Sequence, residues 1–207
     1  MRIVPDGIYY ACALTLAGLA ISYLVNPWAG LPLYIAAAFC LYFFRDPERV
    51  APAGNVMLAP ADGKVMAVKD LGDGKTRISI FLNIFDVHVN RTPIPGTITA
   101  VVYQKGKFLN ASHEAASSEN EQNTLMVEGQ DTRVTCRQIA GLIARRIVCY
   151  KHAGDGVSTA ERIGYIKFGS RVDVIYGPEW KTMVKIGERV SAGSSILAKR
   201  ATAEEGL

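Results

Sequence analysis

Residues 165–174 read YIKFGSRVDV, an apolar run typical of a β-strand, with a Gly-Ser pair in the middle. A Gly-Ser peptide bond in such a run is a candidate for self-cleavage. Glycine leaves its carbonyl unshielded, and serine becomes a nucleophile once a base takes its proton. Attack of Ser170 on the Gly169 carbonyl would give an ester, and elimination would convert Ser170 into a pyruvoyl group. Gly-Ser pairs are also common in ordinary turns, so other parts of the sequence are needed to distinguish a cleavage site from a turn.

The chain from about residue 50 onward is rich in short β-branched runs separated by glycine turns. This pattern predicts a mainly β fold, sandwich- or barrel-like, with glycine-turned strands of the lipoyl-domain kind near the C-terminus. The polar segment 111–123 is predicted to be a loop or a short irregular helix. Strands are predicted at residues 63–68, 77–82, 96–103, 124–128, 132–139, 146–150 and, around glycine turns, within 185–198.

The first 49 residues are predicted to be a membrane-associated helical hairpin. Residues 7–25 are uncharged and mostly apolar, and at about 1.5 Å per residue they approach the roughly 30 Å of a bilayer core. The sequence NPWAG breaks this helix, and a second apolar segment at 31–44 is short for a full span. Spanning and re-entrant insertion both stay open. Arg45 and Arg49 favour a cytoplasmic side for the domain that follows, although Arg2 lies on the same side.

Composition argues against several classes of function. The 207 residues carry a net charge of +4 with no pronounced Lys/Arg run, so we expect no nucleic-acid partner. The four cysteines form no C-x-x-C pair and only three histidines are present, which argues against a metal site. We expect the cysteines to be reduced and buried. The sequence contains no P-loop, no dinucleotide fingerprint and no G-x-S-x-G elbow.

Three polar clusters in the β region together supply the parts of an activated serine. Asp62 lies in the turn sequence APADGKV, His88 in FLNIFDVHVNRTP, and Ser170 in the run quoted above. A hydroxyl, an imidazole base and a carboxylate that orients the base are the usual set for serine activation. In an extended strand, Asp86 and His88 would point to the same side.

These motifs belong to an ordered set of short segments. The set comprises residues 59–63, 81–83, 86–91, 93, 110–111, 120–121, 139–141, 163–166 and 168–173. In this order the segments resemble the phosphatidylserine decarboxylases, specifically their short, archaeal-type branch, and the apolar hairpin is similar in kind to that of the short forms. The long branch differs, since it has LGST where this chain has FGSR and a second histidine where this chain has Arg91.

The resemblance implies a proenzyme with two regions, a membrane hairpin at 1–49 and a β-rich catalytic domain at 50–207. Self-cleavage at 169/170 would give a β subunit of residues 1–169 and an α subunit of residues 170–207, which stay together as a heterodimer. The expected location is the cell membrane, with the catalytic domain on the cytoplasmic side.

The resemblance also implies the chemistry of the site. Asp62 and His88 would assist Ser170 in cleavage at Gly169, and Ser170 would become the pyruvoyl cofactor, without a metal. The pyruvoyl carbonyl would form a Schiff base with the head-group amine of phosphatidylserine, as pyridoxal phosphate does with amino acids, and release carbon dioxide and phosphatidylethanolamine. Arg91, Lys167 and Arg171 are possible partners for the phosphodiester or carboxylate of that lipid.

Two other classes of protein stay open at this point. One is a membrane-anchored carrier or binding domain of the lipoyl or biotinyl kind, which would not cut itself. The other is a serine hydrolase that uses Ser170, His88 and Asp62 on an external ester or peptide and keeps its chain whole. Within the decarboxylase interpretation, a head group related to phosphatidylserine is also possible.

Overall fold

The computed structural model describes residues 1–142, 146–167 and 169–200. The chain divides into two compact units, Met1–Glu48 and Arg49–Leu207. The described helices are α1 (Pro5–Leu24), α2 (Leu31–Phe43) and α3 (Ala116–Glu119). The described strands are β1 (Arg2–Ile3), β2 (Arg45–Asp46), β3 (Val56–Leu58), β4 (Gly63–Gly72), β5 (Lys75–Leu82), β6 (Val89–Arg91), β7 (Gly96–Gln104), β8 (Gln122–Gly129), β9 (Thr132–Ile139), β10 (Ile147–Cys149), β11 (Gly156–Val157), β12 (Arg162–Ile166), β13 (Ser170–Tyr176), β14 (Trp180–Thr182), β15 (Arg189–Val190) and β16 (Ile196–Arg200).

The first unit consists of two apolar helices and the short β1–β2 pair. Helix α1 starts with a proline, which is well suited to a first helical position. In the connection to α2, Asn26 Oδ1 accepts hydrogen bonds from the N–H groups of Trp28 and Ala29. Gly18 lets the helices approach closely, because a Cβ there would lie 2.7 Å from the Tyr34 ring. Helix α1 is long and apolar enough to cross a membrane, and α2 is shorter. The predicted apolar hairpin is confirmed.

The second unit is built around one antiparallel sheet of eight strands, in the order β11-β7-β8-β9-β13-β5-β4-β15. The sheet curls into a half-barrel, so the predicted mainly β fold is confirmed. Strand β13 lies in the middle of the sheet, where Ser170 pairs with Leu82 of β5 and Arg171 pairs with Ile139 of β9. Two three-stranded sheets, β10-β12-β6 and β14-β16-β3, complete the described part of the unit.

Aliphatic side chains from the central strands form the core of the second unit. Burial of each such side chain contributes about 1.5–3 kcal/mol relative to exposure, which is why these runs of Val, Ile and Leu specify strands. The polar segment predicted as a loop or short helix contains α3 and then continues into β8. Fully buried core residues include Ile78, Ile80, Leu82, Ile98, Leu125, Val134, Val172, Val174 and Leu197.

The cysteines differ from the sequence-based expectation. All four are free, but Cys12 is exposed and Cys40 and Cys149 are only partly buried, so the prediction of buried thiols is correct for Cys136 alone. Burial raises the pKa of the Cys136 thiol to about 12, and this thiol is therefore unreactive at physiological pH.

Candidate active site

Ser170 is the first residue of β13 and is completely buried. Within residues 1–142, 146–167 and 169–200, its Oγ has no hydrogen-bond partner. Buried hydroxyls in proteins are normally paired, because an unpaired one loses its hydrogen bonds to water without compensation. An unpaired serine oxygen in the centre of a sheet is therefore a candidate reactive group.

Gly169 places its peptide bond in an unusual conformation. Its φ of +64° lies in the left-handed region, which residues with a Cβ rarely adopt. Apart from its chain neighbours, a Cβ at this position would meet no atom of the described residues within 4 Å, so the backbone angle and not crowding explains the glycine. The carbonyl that Ser170 would attack thus belongs to a glycine, and the space that a Cβ would occupy beside it is open.

His88 reaches this peptide from the segment before β6. Its Nε2 accepts a hydrogen bond from the Gly169 N–H at 3.2 Å, and its Nδ1 lies 2.9 Å from the carbonyl oxygen of Asp86. Because an acceptor nitrogen carries no proton, these two bonds assign the neutral tautomer with the proton on Nδ1. The histidine is 2% exposed, and it turns an unprotonated nitrogen toward the Gly169–Ser170 peptide.

The segment that carries His88 is not the extended strand expected from the sequence. Residues 83–86 form a turn, in which the Asp86 N–H donates to the Asn83 carbonyl and the Asn83 N–H donates to Asp86 Oδ2. The other Asp86 oxygen pairs with Arg189. The expectation that Asp86 and His88 lie side by side on a strand is therefore wrong. Asp86 instead orients His88 through its backbone carbonyl.

Asp62 occupies a different part of the unit's hydrogen-bond network. Its Oδ2 pairs with Arg49 at 2.7 Å, and its Oδ1 accepts a hydrogen bond from the Ala192 N–H at 2.8 Å. Burial raises the pKa of the Asp62 carboxyl, although both of these partners oppose the rise; the negative charge of Asp86 adds to it. The structure thus brings Ser170, Gly169 and His88 together, whereas both Asp62 oxygens are engaged elsewhere.

Gly141 contacts the peptide that would be cut, and sequence analysis assigned it no role. A Cβ on Gly141 would collide with the Gly169 carbonyl oxygen. The neighbouring residue is fixed on both sides, because the Ala140 N–H donates to Glu121 O at 2.9 Å and the Ala140 carbonyl accepts from Asn120 Nδ2 at 2.7 Å. The sequence contains Ile-Ala-Gly at 139–141, but nothing in it indicates which backbone this glycine faces.

The residue after Ser170 is held by a buried ion pair. Arg171 and Asp173 are both completely buried, and Arg171 donates to both Asp173 oxygens, at 2.6 and 3.1 Å, and to Ser79 Oγ at 2.8 Å. Glu114 on the polar loop approaches the same arginine and pairs with Arg77. The hydrogen bond from Arg77 is the main reason that the pKa of Glu114 falls to about 2. Arg171 is therefore buried and already bound to other residues of the protein, which disfavours the prediction that it binds the lipid.

A cleft of about 270 Å³ opens beside Gly169. Its lining is mostly apolar, so it is suited to a partly hydrophobic ligand. Among the residues that the structure describes, no cluster of three or more His, Cys, Asp or Glu side chains is placed to hold a metal ion. The cleft is lined by Phe81, Asn83, Ile84, Asn110, Ala111, Leu142 and Gly169.

The geometry at Ser170 fits conversion of this residue into a pyruvoyl group. The oxygen that would be lost is buried and makes no hydrogen bond within the described residues, so its removal leaves no partner unsatisfied there. Strand β13 pairs with β5 from Ser170 to Tyr176 and with β9 from Arg171 to Ile175, and a cut before Ser170 leaves both pairings in place.

Comparison with known proteins gives consistent matches over most of the chain. The family model described as phosphatidylserine decarboxylase matches residues 36–198. The phosphatidylserine decarboxylase proenzyme of Solibacter usitatus (strain Ellin6076) is 60% identical over 200 residues, which cover 97% of this chain and 98% of that protein. The proenzyme of the same name from Beijerinckia indica subsp. indica is 44% identical over 211 residues, covering 96% of this chain and 89% of that protein.

Proposed function

This chain belongs to the phosphatidylserine decarboxylase family, and we propose that it is a proenzyme that cuts itself between Gly169 and Ser170. Members of the family catalyse the pyruvoyl-dependent decarboxylation of phosphatidylserine. The observation that carries the proposal for this chain is the contact of His88 Nε2 with the peptide that contains an unpaired, buried serine oxygen.

The first step of the proposed cleavage is an acyl shift. His88 takes the hydroxyl proton of Ser170 as the serine oxygen attacks the Gly169 carbonyl carbon. His88 then returns that proton to the nitrogen of Ser170 as the C–N bond breaks, which leaves an ester and a free amine. The histidine only has to turn its Nε2 from the Gly169 N–H to the adjacent serine oxygen, since its Nδ1 remains bound to Asp86 O.

The second step is an elimination. A base removes the α-proton of residue 170, the bond between its Cβ and the ester oxygen breaks, and Gly169 leaves as a carboxylate. Water then replaces the nitrogen of residue 170, which departs as ammonia, and the α-carbon becomes a ketone. His88 Nε2 lies at the peptide N–H of the preceding residue, Gly169, so we assign His88 to both steps.

Bound in this position, a pyruvoyl group supplies a carbonyl that accepts the electron pair left behind when carbon dioxide departs from the substrate. The protein supplies the surroundings. His88, neutral and held by Asp86, is placed to move a proton at this position. The mostly apolar cleft is lined by Gly169, the residue before Ser170, and we propose that it admits the head group once the chain is cut.

We propose that Asp62 acts by positioning rather than by direct proton transfer. Its two hydrogen bonds tie the turn before β4 to Arg49 and to the loop that follows β15. It also lies close enough to Asp86 for the two charges to interact, and Asp86 is the residue that orients His88. Removal of the Asp62 carboxylate is therefore expected to disturb His88 through Asp86.

The sheet supports a lasting association of the two fragments. The small fragment would begin with β13, which pairs with β5 over seven residues and with β9 over five. Because these pairs lie in the centre of the sheet, the fragment 170–200 remains part of the fold after the cut; residues 201–207 lie outside the described residues. We accordingly propose a heterodimer of fragments 1–169 and 170–207.

We further propose that the enzyme works at the cell membrane on a phospholipid, with the catalytic unit on the cytoplasmic side. Helix α1 has the length and composition of a membrane span, and Arg45 and Arg49 come directly after the hairpin in the sequence, a pattern that favours the cytoplasmic side. A serine hydrolase is less well supported, because Ser170 is completely buried in the uncut chain.

The experiment is a decarboxylation assay on phosphatidylserine vesicles, with and without prior treatment with borohydride. We expect release of carbon dioxide, formation of phosphatidylethanolamine, and loss of both after borohydride reduces a carbonyl on the small fragment. The Ser170→Ala variant is the matched control and should be inactive before and after treatment. Activity that borohydride leaves unchanged would contradict the proposal.

A further inference from the structure

Asn90 presents an unusual buried donor. The residue is completely buried on β6, and its Oδ1 accepts a hydrogen bond from Gln138 Nε2 at 2.8 Å. Gln138 in turn accepts one from Asn123 Nδ2 at 3.1 Å. In the described part of the chain, the Nδ2 of Asn90 has no hydrogen-bond partner. A buried donor without a partner is destabilising, and such donors are rare in folded proteins, so a functional role is a reasonable explanation for this one.

The sheet register places this donor on the same side as the Ser170 side chain. Gln138 of β9 is directly opposite Val172 of β13, and side chains of paired residues project from the same face. Ser170 lies two residues before Val172, so it projects from that face as well. Asn90 contacts Gln138 and therefore covers this face.

The other end of the same segment covers the beginning of β13. His88, two residues before Asn90, reaches the Gly169 N–H, while Asn90 reaches the side chain opposite Val172. Ser170 lies between these two points along the strand. Two buried polar atoms without a partner in the described residues, Ser170 Oγ and Asn90 Nδ2, thus share one layer between the segment 88–90 and the sheet.

We propose that Asn90 donates a hydrogen bond from Nδ2 to the Ser170 oxygen during self-cleavage. This inference rests on the proposed function and adds a residue to it. With Nδ2 donating to the serine oxygen, the hydroxyl proton is free to point to His88 Nε2, and the oxygen is held for attack on Gly169. When the ester is eliminated, the same oxygen leaves as part of the Gly169 carboxylate, and the amide donor stabilises its growing negative charge. The chain from Asn123 through Gln138 fixes the orientation of this amide.

The test compares the same amide-to-acid substitution at two buried residues. Asn90→Asp replaces the amide donor with an acceptor at nearly constant volume. Gln122→Glu makes the same change at a buried amide whose Nε2 donates to Gln104 Oε1. Gln122 is in register with Arg171 through Ile139, so its side chain projects from the face of the sheet opposite to Ser170. Purified wild type and variants are followed by intact mass during maturation at pH 8, and their Tm values are measured in parallel. Asn90→Asp is expected to slow cleavage about 10²–10³-fold, the usual effect of removing one such donor. Gln122→Glu is expected to lose thermal stability as well but to cleave close to the wild-type rate.

Cleavage rates measured at several pH values distinguish hydrogen-bond donation by Asn90 from a purely structural role, which would not depend on pH in this way. When the new carboxyl of Asn90→Asp is protonated, it can again donate a hydrogen bond. The ratio of the wild-type to the Asn90→Asp cleavage rate should therefore fall toward one as the pH is lowered toward 5.5. Dividing by the wild-type rate removes the contribution of His88 protonation. Equal slowing of Asn90→Asp and Gln122→Glu at pH 8, or a ratio of cleavage rates that does not change with pH, would overturn the assignment.

A second pair of variants keeps the test valid if Asn90→Asp folds poorly. Asn90→Thr and Asn90→Val are nearly equal in volume and suit a strand, but only the first carries a donor. We expect the threonine variant to cleave faster, and equal rates would contradict the proposal. If wild type itself remains whole, the proposed function fails; if wild type is cut and the Asn90 variants match their controls, only the role of Asn90 fails.

Discussion

Gly141→Ala is the substitution with the most direct geometric consequence for the proposed cleavage site. The added Cβ would lie 3.2 Å from the Gly169 carbonyl carbon and 3.3 Å from the Ala111 Cβ. It would overlap the Gly169 carbonyl oxygen by about 1 Å relative to an ordinary C···O contact of about 3.3 Å. Residue 141 cannot simply retreat, because Ala140 is bonded to Glu121 and Asn120. The Gly169 carbonyl is therefore the group that we expect to move.

A displacement of the Gly169 carbonyl by about 1 Å should slow the proposed cleavage. Misplacing reacting atoms by about 1 Å can slow a reaction about 10²-fold, and overpacking of this kind is destabilising by about 1–3 kcal/mol. We expect Gly141→Ala to accumulate as an uncut chain that matures at least tenfold more slowly than wild type, where tenfold corresponds to about 1.4 kcal/mol in the barrier.

The assay is a maturation time course on a denaturing gel, confirmed by intact mass. Gly156→Ala is the matched control, because a Cβ at that glycine would meet no described atom within 4 Å apart from its chain neighbours. The control should mature at the wild-type rate. If Gly141→Ala also matures at that rate while retaining the fold, the claim that Gly141 sets the position of the Gly169 carbonyl is refuted.

Three further substitutions test other parts of the account. His88→Ala should block or strongly slow cleavage, and normal maturation by intact mass would exclude His88 as the base. Asp173→Asn should lower the free energy of unfolding in urea by about 3 kcal/mol, because the buried Arg171 loses its buried counter-charge and retains the half-exposed Glu114 at 3.8 Å, and a loss below about 1 kcal/mol would argue against a strong buried pair. Glu114 has a folded pKa of about 2 against an ordinary 4.5, so its stabilisation is fully present above pH 4.5 and is lost as the pH falls through 2. The stability advantage of wild type over Glu114→Gln, about 1 kcal/mol or less because Glu114 is half exposed, should therefore shrink between pH 4.5 and 2 in thermal melts, and an advantage that persists at pH 2 would contradict this assignment.

The fold was largely predictable because most helices and strands coincide with local patterns in the sequence. Strands such as β5, β7 and β9 coincide with β-branched runs bounded by glycine or charged turns, and the hairpin coincides with two apolar segments around NPWAG. The turn at 83–86 was not predictable from alternation, because the Asn83 and Asp86 side chains bind the backbone and override the strand pattern. Sequence patterns give the order of strands along the chain, but they do not show that β13 lies between β5 and β9.

The candidate site was predictable only in part for the same reason. Ser170 and His88 stand out as residue types suited to serine activation, and the structure places both at the Gly169 peptide. The partners of Asp62 come from residues far along the chain, Arg49 and Ala192, and no spacing rule anticipates them. The same holds for the approach of Gly141 to Gly169, which depends on how separate segments pack.

Intact-mass measurement of purified wild type beside Ser170→Ala tests the central claim most directly. Our account predicts two wild-type fragments that meet at 169/170, the smaller one with the mass of a pyruvoyl group at its first residue, and a single whole chain for the variant. A folded, membrane-bound wild-type chain that remains whole would contradict self-cleavage at Ser170 and with it the proposed origin of the cofactor.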